Sequence, residues 1–219
     1  MWYELASKLL EKHDHKFAIA ISEQIIKSSK GDLNHNDIWN YIKPLLLKLM
    51  QAYHDDIWPI LGNEIINAGG MQRYRLVQLI ERDNEIHKTS PSVISAIPTD
   101  DVMTWCEQNP DIGPSFIASS MDIFEVAEEK KIPSKLFVSL LAKYGSDKRV
   151  ANALVANLGK RSWEGSLVPY LDSDKEALTT LNTHKNVNVR QWVKDYIDYI
   201  DRQRESEQVR DEERDIGIY

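Results

Sequence analysis

The sequence predicts an all-α fold, an α-solenoid of antiparallel helix pairs with negligible β-structure, on three observations. Residues 147–158 and 186–197 repeat a pattern at a fixed offset of 39, matching Val150 to Val189, Leu154 to Val193 and Leu158 to Ile197. A repeat of roughly 40 residues made of helix pairs is how α-solenoids are written, because each unit buries its apolar face only against a neighbour. The 219 residues include only nine Gly and eight Pro, few for a fold with many turns. No stretch shows sustained alternation of apolar and polar residues, the mark of a half-buried strand.

Along the chain, a first helix is expected near Trp2–Lys12, broken at His13-Asp14-His15. The second carries Phe17, Ala20, Ile21, Gln24, Ile25 and Ser28 on one stripe at helical spacing. A turn at 28–32 leads to a third helix, capped by Asn36 or Asp37, with Trp39, Ile42, Leu46, Leu49, Met50 and Tyr53 on its face. Pro44 should kink or restart it. Asp55-Asp56 is expected to cap a fourth helix, with Pro59 in its first turn, where a missing amide costs little. Met71–Arg82 reads as a fifth helix, and residues 83–98, rich in breakers, as a bend.

Beyond Pro98 the rhythm is steadier. Thr99-Asp100-Asp101 reads as the cap of a helix with Val102, Trp105 and Cys106, and Pro114 and Pro133-Ser134 open two more. Glu128-Glu129-Lys130-Lys131 reads as a solvated helix end and turn. Asp147 caps the first repeat copy, the loop Lys160–Gly165 follows, and Lys175–Leu181 and Asn186–Ile200 complete the set. Residues 1–200 therefore form one helical-repeat domain, and 201–219 a charged extension. That extension has seven acids and four Arg over Asp201–Asp215 with one large apolar residue, Val209, so it lacks a face to bury.

The net charge of −7 disfavours nucleic acid, whose binders gain affinity by neutralising phosphates, although Arg149, Lys160, Arg161 and Arg190 leave room for a basic patch. No apolar run reaches the roughly 20 residues that span a bilayer, and the opening residues do not resemble a signal peptide. The single Cys106 excludes an internal disulfide. The cytoplasm is the expected location.

Asn188-Val189-Arg190-Gln191-Trp192 after a His-Lys-Asn turn resembles the second helix of HEAT-type repeats. With Trp39, His54 to Trp58, Asp101 to Pro114, Trp163 to Tyr170 and the charged tail, the chain resembles the C-terminal helical-repeat regions of large bacterial proteins, some of them associated with antiviral defence. The resemblance implies a recognition or scaffolding arm. No GxxxxGK[ST] phosphate loop or other effector motif is present.

Chemistry-bearing clusters are sparse. His13-Asp14-His15 is a weak metal pair, since zinc needs three or four ligands. His54-Asp55-Asp56 resembles metal-ligand pairs of some phosphohydrolases, and a small metal-dependent hydrolase is the alternative it offers; helix capping explains the two aspartates better. Cys106 beside Trp105 reads as a small buried hydrophobe, with no histidine to activate it. Trp192, Trp39, Trp58 and Trp105 read as core. Trp163 differs, lying in a loop beside Lys160 and Arg161, residue types that dominate interface energetics. The expectation is a non-enzymatic interaction module without a cofactor, binding a protein partner through Lys160, Arg161 and Trp163. A nucleic-acid-binding arm is the third reading.

Overall fold

A computed structural model describes residues 15–28, 38–82 and 90–217, the side chains of Trp39 and Asp215 excepted. The expected first helix, the pair His13-Asp14, the turn at 29–32, the caps Asn36 and Asp37, residues 83–89 of the expected bend, and Ile218-Tyr219 lie outside the described residues. Those described up to Asp122 form one compact unit and those from Ile123 onward another.

The described elements of the first unit are all helical. α1 (His15–Ser28) buries Ala18, Ile21, Ser22, Ile25 and Ile26, so its face keeps Ile21 and Ile25 of the expected stripe but turns toward Ala18 and Ser22, leaving Ala20 and Gln24 exposed. A π-helical turn (Ile38–Ile42) runs into α2 (Lys43–Asn67), which Pro44 restarts in its first turn. Asp55-Asp56 does not cap a separate helix. α2 is instead two helical segments joined across a kink at Tyr53 (φ −143°, ψ 37°), so the expected break is present just ahead of the two aspartates, and Pro59 lies inside the second segment. Pro59 lacks a donor and crowds the carbonyl four residues back, and Tyr53 lies just upstream of that crowded turn. α1 packs on α2, whose Leu46, Leu49, Ile57, Leu61 and Ile65 are fully buried.

α3 (Gly70–Ile80) follows, and Ser92 then caps a 3₁₀ turn (Val93–Ala96) by accepting from the Ile94 amide while its hydroxyl donates to the Ile80 carbonyl. α4 (Thr99–Gln108) starts without a side-chain cap; Asp100 and Asp101 sit instead in its first turn, where the helix dipole favours negative charge. α5 (Gly113–Ser120) opens at Pro114 as its sequence requires.

The second unit opens with the departure from an all-helical pattern. Phe124–Ala127 (β1) and Lys130–Pro133 (β2) pair antiparallel through the two-residue turn Glu128-Glu129, where a solvated helix end was expected. Both turn residues have positive φ, 50° and 66°, which matches the twist of a tight hairpin and is seldom adopted by side-chain-bearing residues. α6 (Lys135–Tyr144), capped by Ser134, α7 (Lys148–Gly159), capped by Asp147, and α9 (Val187–Asp215), capped by Asn186, begin where expected. Between them α8 (Val168–Thr179) is one helix opened by Pro169, longer than the short segment expected at 175–181.

The two repeat copies share their caps and their first two buried positions: Val150 and Leu154 in one, Val189 and Val193 in the other. At the third position Leu158 is buried while Ile197 is only half-buried, Tyr196 and Ile200 taking the core places around it. The charged extension continues α9, tied to α8 by Lys175–Asp201 and Arg204–Asp172 pairs. Ser166, just ahead of α8, also bonds Asp211. Among the described residues no helix is long and apolar enough to cross a membrane.

Candidate functional site: a tryptophan-lined cleft and an anchored loop

The first unit has a cleft of about 370 Å³ between the second half of α2 and α4. Trp58 and Trp105 form its aromatic wall, their ring centroids 5.0 Å apart and inclined by 59°. Gly62, one turn beyond Trp58, lets the indole of Trp105 lie against α2: a Cβ there would stand 2.5 Å from the Trp105 indole nitrogen. Polar side chains complete the lining, with Asn63 from α2 and Thr104, Gln108 and Asn109 from α4 and its end. The Asn109 amide donates to the Trp105 carbonyl at 2.9 Å, which fixes the orientation of that carboxamide. Trp58 is 5% exposed, and its indole N–H has no acceptor among the described residues. A buried donor without a partner costs more than an ordinary hydrogen bond contributes.

Asp101 is the one charged residue of the lining. Beside it lies the cluster the sequence offered for metal chemistry, in altered membership. Asp56 turns away to His15, whose Nε2 is 2.6 Å from its Oδ2 and whose ring stands edge-on to Tyr53. His54 keeps Asp55 at 3.4 Å and gains Asp101 of α4 at 3.9 Å. One ligand atom from each of His54, Asp55 and Asp101 falls within 4.8 Å of the others. Asp56 is held by His15 instead, so the cluster joins His54 and Asp55 to Asp101 rather than to Asp56.

In the second unit, the loop Lys160–Gly165 is anchored from beneath. Arg161 donates to the Leu158 carbonyl at 3.0 and 3.1 Å and pairs with Asp174 of α8, which also binds Lys131 of the hairpin. Asp174 is 1% exposed, so it holds two cations in a site largely closed to water. Lys131 also lies over the Phe124 ring, 4.2 Å from its centroid. Arg161 therefore faces inward, while Lys160 and Trp163 are exposed, Trp163 by 38%. Cys106 is buried, as its position beside Trp105 suggested.

The cleft was not found in the sequence because each member had a sufficient local reason: tryptophans for core, an aspartate for a helix start. The available signal was the carboxamides at Asn63 and Asn109, each within about a turn of an indole on the same helix. No protein-family model, no curated protein and no solved structure matches this chain.

Proposed function

We propose that the chain is a non-catalytic protein-interaction module, a recognition or scaffolding arm of HEAT-like stacked helix pairs of the kind that serves as a sensor in bacterial defence proteins. The observation that carries the interaction reading is the cleft: two indoles with carboxamides around them. Aromatic rings supply contact area at little entropic cost, and asparagine and glutamine side chains both donate to and accept from a peptide backbone. The loop Lys160–Gly165 is a secondary contact in this reading, with Trp163 and Lys160 touching the partner and Arg161 holding the loop.

A photo-activatable phenylalanine placed at the exposed position 108 tests this in cells that express the chain naturally. A polypeptide adduct at 108, lost when Trp105 is changed to Ala in a variant that still melts cooperatively, is the expected result. Absence of adducts at 108 and at 163 alike would overturn the reading.

A second reading, a metal-dependent hydrolase, draws on the grouping of His54, Asp55 and Asp101. Titration with Mn²⁺ and Zn²⁺ separates the two. The interaction reading expects no stoichiometric binding, whereas a site abolished by His54→Ala and by Asp101→Ala, and kept in Asp56→Ala, would favour the metal.

A further inference from the structure

We infer that the cleft between α2 and α4 takes an extended polypeptide segment carrying a lysine or arginine side chain, the cation seated at Asp101 and the aliphatic stem across Trp58 and Trp105. The inference rests on the interaction-module reading and names the chemistry of its partner.

Three features select this occupant. The first is charge: the lining contains one ionised group, Asp101, and no lysine or arginine, while Asp55 stands in the same cluster around His54. A second carboxylate near the first draws a cation and repels an acidic segment. The second is the aromatic wall. Long basic side chains bury their methylene stems on apolar surface while the head stays polar, and the parts of Trp58 and Trp105 that line the cleft, 5% and 9% exposed, offer a narrow strip of that kind. The third is the distribution of amides. Asn63 on one helix and Gln108 and Asn109 on the other line the cleft. Asn63 Oδ1 already accepts from Asn67 and the Asn109 amide already donates to the Trp105 carbonyl, and each of these carboxamides keeps a second hydrogen and a second lone pair. Those groups suit the alternating N–H and C=O of a peptide, which a free amine lacks.

The full chain, dialysed against a chelator so that no metal masks the carboxylates, is titrated with short peptides of basic, neutral and acidic composition. Two readouts are used, fluorescence anisotropy and the ¹⁵N-labelled indole N–H signals assigned by Trp→Phe variants. The basic peptide is expected to bind and to move the Trp58 and Trp105 signals while leaving Trp192 in place. Asp101→Lys should weaken it about tenfold or more, equivalent to about 1.4 kcal/mol, with a small drop in Tm because a cation replaces a carboxylate in the first turn of α4. Asp101→Asn should weaken it less, and provides the measurement if the lysine variant is unstable. Affinity should also fall with added salt, because the paired charges are partly exposed.

Equal binding of neutral or acidic peptides with the same two signals moving, or an affinity indifferent to Asp101, would overturn the basic-segment inference and leave the interaction reading standing. If no peptide of any composition moves the Trp58 and Trp105 signals, the inference and the role of the cleft in the interaction reading both fall.

Discussion

Trp192 and Trp163 are the same amino acid in opposite circumstances. Trp192 is 7% exposed, stacked on Tyr196 at 5.0 Å and edge-on to Phe137 at 5.5 Å, so Trp192→Ala empties a filled space between α9 and α6. A loss of about 3–5 kcal/mol is expected. Trp163→Ala in the loop should stay within about 0.5–1 kcal/mol, as surface changes do. Urea unfolding of both variants checks the contrast, and equal losses would contradict the burial. Asp122 supplies a pH-dependent case. Burial raises its pKa above the ordinary 3.8, against the Ser92 amide and the positive charges of Arg82 and Lys43. A carboxyl whose folded pKa exceeds its unfolded one favours the protonated folded state, so its contribution to stability falls as pH rises from 3.8 through the raised value. Asp122→Asn keeps an acceptor for Ser92 and removes that titration. Its stability relative to the parent should therefore improve as pH rises across this window, and a constant difference would show that the carboxyl does not titrate there.

At the scale of elements, what the sequence made legible was what it encodes locally. Ser134, Asp147 and Asn186 each accept a backbone amide at a helix start, and Pro44, Pro114 and Pro169 each stand in a first turn. The hairpin was hidden because Glu128-Glu129 lacks the Asn-Gly chemistry that announces such a turn, and because its pairing is held from a distance: Lys131 reaches Asp174, 43 residues on. The grouping of Asp101 with His54 was hidden for the same reason, since it forms between helices rather than within one. Arg161 looked like a contact residue until Asp174 gave it a buried partner. The hairpin turn also stores a removable cost. Replacing Glu128 and Glu129 by Asn and Gly supplies residues that tolerate positive φ, and should stabilise the second unit by about 1 kcal/mol. The expected readout is a rise of a few degrees in Tm; no rise would mean that the turn conformation carries no strain.

At the scale of the molecule, the division after Asp122 has a consequence for folding. The second unit contains a core of its own, with Phe137, Leu140, Leu141, Leu154, Leu178, Val193 and Ile200 all fully buried. Burying such side chains contributes about 1.5–3 kcal/mol each, against which chain ordering must be set. It also contains both partners of Asp174, so its buried carboxylate needs nothing from residues before Ile123. Domains of about this size fold alone. A fragment of residues 123–219 is therefore expected to give a helical circular-dichroism spectrum and a single cooperative melt, with Trp192 fluorescence shifted to short wavelength. Asp174→Ala in that fragment should strip its two cations of their anion and cost about 3 kcal/mol, near the lower end for a broken buried pair because Lys131 can turn to water. A fragment with helical content but no cooperative transition would show instead that the second unit needs the first to order its core.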